Sequence, residues 1–427
     1  MSRSTFSVTP SAARLTASLR DIGYDFSAAV ADLVDNSITA GASRIDILIE
    51  FDGEDSRVFV ADDGMGMTPN GLLEALRFGS RRDYGVGDLG RYGLGLKTAS
   101  LSQGRCLTVV TRRAQDKKLI HARQLDLDLV IEFDDWLVID PQRTEAISRA
   151  RRMLEESRGT VVIWENLDRV LPEKNASGGW AKRRMENLVK KTEEHLAMVF
   201  HRFLSCDAKA GKLAITINGK KLEPWDPFAL KEKYTKELPV QRFEIVRGET
   251  SGWVTLRRYV LPGRDRFSSQ AEFDRLSGPL KWNRQQGLYT YRADRLVQWG
   301  GWSGIRAIDE HTKLARASLD FDTDLDEAFN INVAKMRVAV PAQLRHMLER
   351  PINELCLLAD DAYRKTSKRQ GDRVIDSRPP GQLTASMPDV GLALKSAAAQ
   401  VGEYPALRRI ITQLREDMPE IATTLGL

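Results

Sequence analysis

Apolar and polar residues recur with two different periods along the first 170 residues of the chain. A period of two is typical of β-strands, and a period of 3.6 is typical of a helix with one buried face. The shorter period predicts a strand in SRIDILIEF, where Ile45, Ile47 and Ile49 recur at every second position, and the short apolar segments RVFVAD, CLTVV, KLIHA and TVVIW predict four more strands. The longer period predicts a short helix over Ser11–Leu19 and a second helix in AVADLVDNSITAGA, which begins at Ala29. We therefore expect helices layered on one mixed sheet.

A different pattern begins after Asn166. The polar connector LPEKNASGGW precedes a long amphipathic helix, predicted over Trp180–Ser205. Asn218 and the following glycine are a hairpin signal, and paired apolar runs follow in RFEIVRGETSGWVTLRRYV and GLYTYRADRLVQ. These segments predict a second, strand-rich α+β domain. The outer face of the long helix is basic and is either solvated or a contact for phosphate backbones: Lys182, Arg183, Arg184, Lys190 and Lys191.

The last part of the chain is predicted to be helical. A helix in PAQLRHMLERPINELCLLADDAYRK leads into the basic, proline-broken segment SKRQGDRVIDSRPPGQL, for which a flexible linker is the simplest interpretation. Short helices follow, with apolar residues on one face: Leu407, Ile410, Ile411 and Leu414. The predicted domains are residues 1–175, residues 176–350, and a C-terminal helical tail with its basic linker over residues 351–427.

The segment Asp62–Gly104 carries the densest set of candidate chemical groups. It opens with DDGMGM, where the strand RVFVAD ends at Asp62 and the backbone must turn at Gly64 and Gly66. It closes with GRYGLGLK and a helix-compatible TASLS, and amides of a glycine-rich turn at a helix start can bind phosphates. Such turns are common, so either motif alone is weak evidence for a nucleotide site.

A third group of polar residues interrupts the apolar face of the helix that begins at Ala29. Asp32 and Asn36 are one helical turn apart and lie on the same face. The amide oxygen of Asn36 can join a hydrated Mg²⁺ whose other ligands are phosphate oxygens. Asp32 can orient or deprotonate an attacking water, and Asp35 is the competing acid, although it is turned toward a different face.

In their order and spacing these three motifs resemble the N-box and the two glycine boxes of the GHKL ATPases. This superfamily includes gyrase B, MutL, the large heat-shock chaperones, histidine kinases and the MORC proteins. The resemblance covers roughly Leu15–Arg350, and the segments INGKKLEPWDPF, GLYTYRADRLVQWGGW and FNINVAKMRVAVP look most like prokaryotic MORC-type proteins. It implies an α+β fold: a two-layer α/β sandwich of the GHKL (Bergerat) type, then a transducer-like α+β domain and a helical tail.

The resemblance also implies a site for ATP and Mg²⁺. Asp32 would activate the attacking water, Asn36 would bind Mg²⁺, and Lys335 would extend from the second domain to the γ-phosphate as a second catalytic residue. Asp62 would accept a hydrogen bond from the adenine amine, with Thr160 helping to hold it; otherwise Asp62 only caps its turn. The remaining nucleotide-binding residues implied are Gly64, Gly66, Met67, Gly90, Gly93, Leu94, Gly95, Leu96 and Lys97.

Two features of the site region affect the predicted chemistry. Asp32 departs from the pattern of many ATP-hydrolysing members, which carry glutamate there, and its shorter side chain predicts slow hydrolysis. Between the glycine boxes, LRFGSRRDYGVGDLG predicts a mobile lid over the nucleotide. Ser80, Arg81 and Arg82 could contact phosphates from this lid, or the arginines could simply be solvated.

Composition sets wider limits on the function. The chain of 427 residues is 42% hydrophobic, enough for a large core and for two or three domains. A formal charge of +5 permits DNA as a partner without requiring it. Cys106, Cys206 and Cys356 are far apart with no CxxC motif, which favours a reducing compartment, and we expect a cytoplasmic protein. No apolar run approaches a signal peptide or a membrane span, so no membrane partner is expected.

The predicted function is slow, Mg²⁺-dependent ATP hydrolysis that closes a homodimeric clamp on DNA, in a MORC-like setting such as genome defence or restriction. The helix Ser11–Leu19 either packs on its neighbour or reaches across to the dimer partner. A chaperone-like clamp for protein clients and a non-hydrolysing ATP-sensing scaffold are the alternatives. A histidine kinase is disfavoured, because the residues before Ala29 contain no histidine and leave no room for a phosphoacceptor helix pair.

Overall fold

A computed structural model describes residues 6, 10–21, 23–79, 93–113, 119–171, 178–208, 211–247, 250–331, 338–376, 394, 398, 403–418 and 422. The chain divides into two compact units, Met1–Thr366 and Ser367–Leu427. Both β-sheets belong to the first unit. The α-helices of the described residues are α1 (Ala12–Arg20), α2 (Phe26–Thr39), α3 (Pro69–Leu76), α4 (Gly95–Leu101), α5 (Leu127–Phe133), α6 (Glu145–Met153), α7 (Gly179–Val199), α8 (His201–Ser205), α9 (Gln270–Leu276), α10 (Lys281–Gln285), α11 (Ala342–Asp376) and α12 (Tyr404–Asp417).

The strands of the described residues form two sheets. The first sheet has seven strands in the order β4-β3-β5-β2-β1-β6-β7, and the second has five in the order β11-β10-β12-β9-β8. The strands are β1 (Arg44–Glu50), β2 (Arg57–Asp62), β3 (Cys106–Arg112), β4 (His121–Asp126), β5 (Gly159–Glu165), β6 (Ala214–Ile217), β7 (Lys220–Lys221), β8 (Lys236–Arg247), β9 (Thr250–Val260), β10 (Gly287–Arg292), β11 (Arg295–Trp299) and β12 (Ala315–Phe321).

The first sheet is mixed because β1 pairs antiparallel with β2 and parallel with β6. Its central strands are buried on both faces, as shown by the unbroken burial of β3. One face packs against α2, α4 and α7, and the other packs against α6. In this register Asp62 at the end of β2 lies opposite Thr160 at the start of β5. The sheet therefore delivers a carboxylate and a hydroxyl to the same edge.

Helix α2 lies at the centre of the first unit. Asp25 caps its start by accepting a hydrogen bond from the amide of Ser27, which explains why the helix begins at Phe26 rather than at Ala29. Asn36 is exposed, but the residues on either side of it are buried. A helix that is buried on most of its surface needs neighbours on several sides, and α4 and α7 provide them.

The second sheet is also mixed. Strands β10 and β12 are parallel, and the other pairings are antiparallel. One side of its core is covered by α11, whose buried face follows the helical period: Leu344, Leu348, Ile352, Leu355 and Ala359. The predicted α+β class is thus confirmed, with two sheets and helices packed on each.

Several predicted elements differ from the observed ones. The strand predicted in KLIHA is wrong at Leu119 and Ile120, because β4 begins at His121. Helix α11 continues to Asp376, through the first ten residues predicted as a linker. Strand β6, from beyond residue 175, pairs with β1 in the first sheet. The division into domains at residues 175 and 350 remains a prediction.

Replacing a central core residue tests the packing of the first sheet. Ile47 on β1 is 0% exposed, so Ile47→Ala removes buried apolar atoms and leaves a cavity. We expect a loss of about 2–5 kcal/mol in the free energy of unfolding, measured by guanidinium denaturation. The exposed Glu54→Ala is the control and should change it by less than about 0.5 kcal/mol. Equal losses in the two variants would contradict this account of the core.

Candidate functional site

Helix α2 presents the acid and the amide predicted for the site. Asp32 is 2% exposed, and its Oδ2 accepts a hydrogen bond of 2.7 Å from the hydroxyl of Tyr24. Asn36 follows one turn later with an exposed side chain. The two residues therefore share a face of the helix, as predicted. The acid is held by Tyr24, and the amide of Asn36 is exposed to a ligand.

Tyr24 is a buried donor for this acid. Burial and the nearby Asp32 carboxylate raise the pKa of Tyr24 well above its usual value. The phenol therefore stays protonated and donates a hydrogen bond to Asp32. The glycine turn predicted to bind phosphates passes close by. A Cβ atom added at Gly95 would lie 3.5 Å from Asp32 Oδ2. The candidate base and the start of α4 are therefore neighbours.

Asp62 is fixed at the end of β2 by donors on both carboxylate oxygens. The amide of Gly64 donates to Oδ1 at 2.9 Å, and the hydroxyl of Ser37 donates to Oδ2 at 3.0 Å. Burial raises the pKa of Asp62 to about 6, and hydrogen bonds from Gly64, Ser37 and the Thr160 backbone partly oppose that rise. Asp62 is therefore a partly buried acceptor that is mostly ionised at neutral pH.

Two glycines allow the backbone to approach closely around Asp62. Gly66 has a φ of 65°, and a Cβ there would lie 2.1 Å from the carbonyl oxygen of Arg112. Gly159 has a φ of 143°, and a Cβ there would lie 1.8 Å from the carbonyl oxygen of Asp62. Neither position has room for a side chain. The predicted requirement for glycine after DDG thus has a specific cause at Gly66.

The hydroxyls of Thr160 and Thr111 lie next to each other in the sheet, and Thr160 is the residue that pairs with Asp62. Thr111 Oγ1 lies 3.2 Å from Thr160 Oγ1 and 3.0 Å from the carbonyl oxygen of Gly159. It also accepts a hydrogen bond of 2.9 Å from the amide of Met67. The DDGMGM turn is therefore tied to the sheet through Thr111, and Met67 and Thr160 both lie within reach of the Asp62 edge.

The second glycine motif leads into α4. Gly93 has a φ of 61°, Leu94 is the residue before the helix, and Gly95 and Leu96 form its first turn. Lys97 is 1% exposed and donates to the carbonyl oxygens of Ala75, at 3.0 Å, and Gly93. Burial lowers the pKa of Lys97 to about 8. In this structure the lysine joins the glycine turn to α3, and its contact with a phosphate remains a prediction.

Some predicted residues lie outside the described residues. These are Gly90, Lys335, Ser80, Arg81 and Arg82.

Within the described ranges, no cluster of three or more His, Cys, Asp or Glu side chains could hold a metal ion. The exposed amide of Asn36 fits the predicted mode, in which Mg²⁺ takes most of its ligands from phosphate oxygens. In the same described part of the chain, no helix is long and apolar enough to span a membrane.

Three residues that contact this site were not predicted. Tyr24 holds Asp32, while Ser37 and Thr111 hold Asp62 and its turn. Ser37 could have been identified from the sequence, because it directly follows Asn36 and lies one helical turn after the apolar Leu33, on the buried side of the helix. Tyr24 and Thr111 gave no local signal, because their partners lie elsewhere in the chain.

A partly buried carboxylate at a strand end lies next to a helix that carries an acid and an amide beside a glycine turn, which is the arrangement that the resemblance to GHKL ATPases implies. The family model of histidine kinase-, DNA gyrase B- and HSP90-like ATPases matches residues 24–160, which contain this whole arrangement. The predicted resemblance to the GHKL ATPases is therefore confirmed over residues 24–160.

Curated relatives match about a fifth of the chain. The mouse ATPase MORC2B is 36% identical over 90 residues, which is 20% of this chain and 9% of that protein. The human ATPase MORC2 is 37% identical over 91 residues, or 20% of this chain and 9% of that protein. The DNA mismatch repair protein MutL of Halobacterium salinarum is 43% identical over 91 residues, or 19% of this chain and 13% of that protein. Each match thus spans only a small share of the relative.

The raised pKa of Asp62 predicts a pH dependence of stability. A carboxyl with a folded pKa of about 6 and an unfolded pKa of about 3.9 binds its proton more tightly when folded. Its contribution is therefore favourable below about pH 4 and is lost as the pH rises to about 6. Asp62→Asn lacks this titration. Relative to the variant, the wild type should lose about 2–3 kcal/mol of unfolding free energy between pH 4 and pH 7.

Urea denaturation of both proteins at several pH values measures this difference, because the other titrating groups cancel. Asparagine can still accept from Gly64, so the variant is expected to fold. A wild-type-minus-variant difference that stays constant with pH would contradict the proposed protonation of Asp62.

Proposed function

We propose that this chain binds ATP with Mg²⁺, hydrolyses it slowly, and uses it to close a homodimeric clamp on DNA. The observation that carries the proposal is the placement of three predicted groups around one helix. Asp32 and Asn36 share a face of α2, and Ser37 of the same helix donates to Asp62. The support for an ATPase site is the match of residues 24–160 to a family of ATPases.

Asp62 is the proposed adenine contact. Its carboxylate is partly buried and held by donors on both oxygens, so its position is fixed before a ligand arrives. Such an acceptor favours adenine, which offers an amine, over guanine, which offers a carbonyl oxygen at the same ring position. Thr160 lies opposite Asp62 in the sheet, and Thr111 joins Thr160 to the amide of Met67. Gly66 lets the turn after Asp62 pack against the backbone of Arg112.

The phosphate end is proposed to lie between α2 and α4. The backbone at Gly93, Leu94, Gly95 and Leu96 would bind phosphate oxygens. Mg²⁺ held by Asn36 and those oxygens would neutralise charge that develops during phosphoryl transfer. Asp32 would orient the attacking water and accept its proton, and the hydrogen bond from Tyr24 fixes the direction of the carboxylate.

The clamp on DNA has support of two kinds. The basic residues of α7 are exposed on one helix: Lys182, Arg183, Arg184, Lys190 and Lys191. Exposed lysine and arginine side chains suit the phosphates of a nucleic acid. MutL, one of the matched relatives, is a DNA mismatch repair protein by name. The proposal includes an ATP-dependent homodimer, and the cytoplasmic location that the cysteine pattern favours is proposed with it.

A non-hydrolysing ATP sensor is the second candidate function. Asp32 has a shorter side chain than glutamate, and the hydroxyl of Tyr24 already occupies its Oδ2 at 2.7 Å. Both features reduce the ability of the acid to reach a water. A chaperone-like clamp for protein clients differs from the main proposal only in its partner, so stimulation by DNA distinguishes them.

Variants of α2 test the proposed chemistry. Asp32→Asn keeps an oxygen acceptor for Tyr24 but loses the base, so ATP hydrolysis should fall by about 100-fold or more. Its affinity for ADP should stay within about threefold of the wild type, since Asp32 is not assigned to binding. Asn36→Ala should bind nucleotide equally well with and without Mg²⁺. Phosphate release with and without duplex DNA, and calorimetric titration with ADP, measure these effects.

The outcomes separate the candidate functions. Normal hydrolysis by Asp32→Asn would remove Asp32 from its assigned role. A wild type that binds ATP but shows no turnover would favour the sensor. Turnover that rises with DNA supports the DNA clamp, whereas turnover that is indifferent to DNA would contradict it.

The predicted lysine of the second domain gives a test of the clamp. If Lys335 contacts the γ-phosphate, a non-hydrolysable ATP analogue should produce dimers and ADP should not, because the ligands differ by one phosphate. Lys335→Ala should bind the analogue within about tenfold of the wild type, a difference of about 1.4 kcal/mol, yet stay monomeric. Analytical ultracentrifugation measures this. A wild type that is monomeric with the analogue, or equally dimeric with ADP, would contradict the ATP-gated clamp.

A further inference from the structure

The buried acid next to Asn36 contacts the second sheet. Asp35 is 0% exposed, and its carboxylate lies 2.8 Å from Nε of Arg295, the first residue of β11. The arginine side chain is itself only 5% exposed. A buried ion pair tolerates little displacement, because separating the partners leaves each charge in a medium of low dielectric constant. Helix α2 and strand β11 are therefore held at a fixed distance.

The tip of the hairpin that carries Arg295 is anchored on its other side as well. Its turn residues, Ala293 and Asp294, have φ angles of 46° and 66°. Asp294 forms an ion pair of 3.2 Å with Arg202 of α8, and the amide of Ala293 donates to the carbonyl oxygen of Phe321 at 3.0 Å. The turn is thus held by several contacts. A displacement of Asp35 is therefore expected to move β11, because the turn itself is held in place.

The far end of β11 contacts the chain next to the predicted phosphate-sensing segment. Oε1 of Gln298 accepts a hydrogen bond of 3.2 Å from the amide of Val338. Val338 is the first described residue after positions 332–337, and Lys335 belongs to those positions. One short strand, Arg295–Trp299, therefore contacts α2 at one end and, at the other end, Val338, which follows the positions that include Lys335.

We propose that the Asp35–Arg295 ion pair is a positioning link that couples the nucleotide state of the first domain to the second sheet through β11. The inference deepens the proposed function and rests on it. Asp35 and Arg295 touch no nucleotide in this scheme. The γ-phosphate and Mg²⁺ act on Asp32, Asn36 and the start of α4, and the ion pair transmits the resulting position of α2. A coupling of this kind requires that the ligand favour one arrangement of α2 over another.

A purely stabilising role is the competing explanation, and pair replacement separates the two. The double variant Asp35→Asn/Arg295→Gln removes both charges and keeps polar side chains that can hydrogen-bond to each other. It avoids the unpaired buried charge that a single replacement would create. A second variant, Arg295→Lys, keeps the charge but loses the planar guanidinium. Glu354→Gln is the control, because Glu354 pairs with the buried Arg258 of the second sheet at 2.6 Å and contacts neither α2 nor β11.

Hydrogen exchange of the full chain, followed by mass spectrometry over residues 295–299, is the readout. Each protein is measured alone, with Mg²⁺-ADP, and with a Mg²⁺-bound non-hydrolysable ATP analogue, and ADP affinity is measured by calorimetry. In the wild type and in Glu354→Gln, the analogue should slow exchange in β11 at least about fivefold relative to ADP. The double variant should bind ADP within about threefold of the wild type, yet show equal exchange with both nucleotides. Arg295→Lys should show a reduced difference.

The failures are distinguishable. If the wild type binds neither nucleotide, the proposed function fails and the coupling falls with it. If the wild type binds both nucleotides and the double variant still shows the full difference in β11, the proposed function stands and the coupling is overturned. If the double variant does not fold, an unreduced difference in Arg295→Lys overturns the coupling, and a reduced one supports it.

Discussion

Helix α2 buries two carboxylates, Asp32 and Asp35, with different partners, and much of the structure depends on how their charges are compensated. Taking an ionised carboxylate out of water costs several kcal/mol unless a donor or an opposite charge replaces the lost solvent. Asp32 receives the hydroxyl of Tyr24, and Asp35 receives the guanidinium of Arg295. The first partner is eight residues away in the chain and the second is 260 residues away. The second sheet therefore supplies the partner of one buried charge on the helix that carries Asp32 and Asn36, the residues proposed for the nucleotide site.

The parts of the site that depend on local spacing were predictable from the sequence. The one-turn separation of Asp32 and Asn36 follows from the helical period alone, and Asp62 follows from its position at the end of an alternating strand. Ser37 and Thr111 were not predictable as site residues, because serine and threonine are common in helices and strands. Only the tertiary arrangement, including the pairing of Asp62 with Thr160, brings these hydroxyls to the carboxylate and its turn.

The same distinction explains the elements whose bounds differ from the prediction. Strand β4 begins at His121, which lies opposite Thr111 near the end of β3, so its partner rather than its apolar residues sets its start. Helix α11 contains Pro351, and a proline disfavours a helix interior. The helix passes through Pro351, as predicted, because its buried face packs on the second sheet, and Arg258 donates to the carbonyl oxygen of Pro351 at 3.2 Å. Packing outweighs local propensity in both cases. The continuation of the helix from Lys365 to Asp376 lies beyond that packed face and was not predicted from the basic sequence there.

The two ends of the proposed site are built from different kinds of structure. At the proposed adenine end, strand pairing and the close backbone contacts of Gly66 and Gly159 fix Asp62 at the edge of the first sheet. At the proposed phosphate end, the backbone enters a helix of only seven residues. Helix α2 borders both ends, since Ser37 contacts Asp62 and Asp32 lies beside Gly95. Nucleotides that differ by one phosphate share the adenine end, so their difference can act only at the phosphate end. In the proposed function that difference acts on α2 and, through Asp35, on the second sheet.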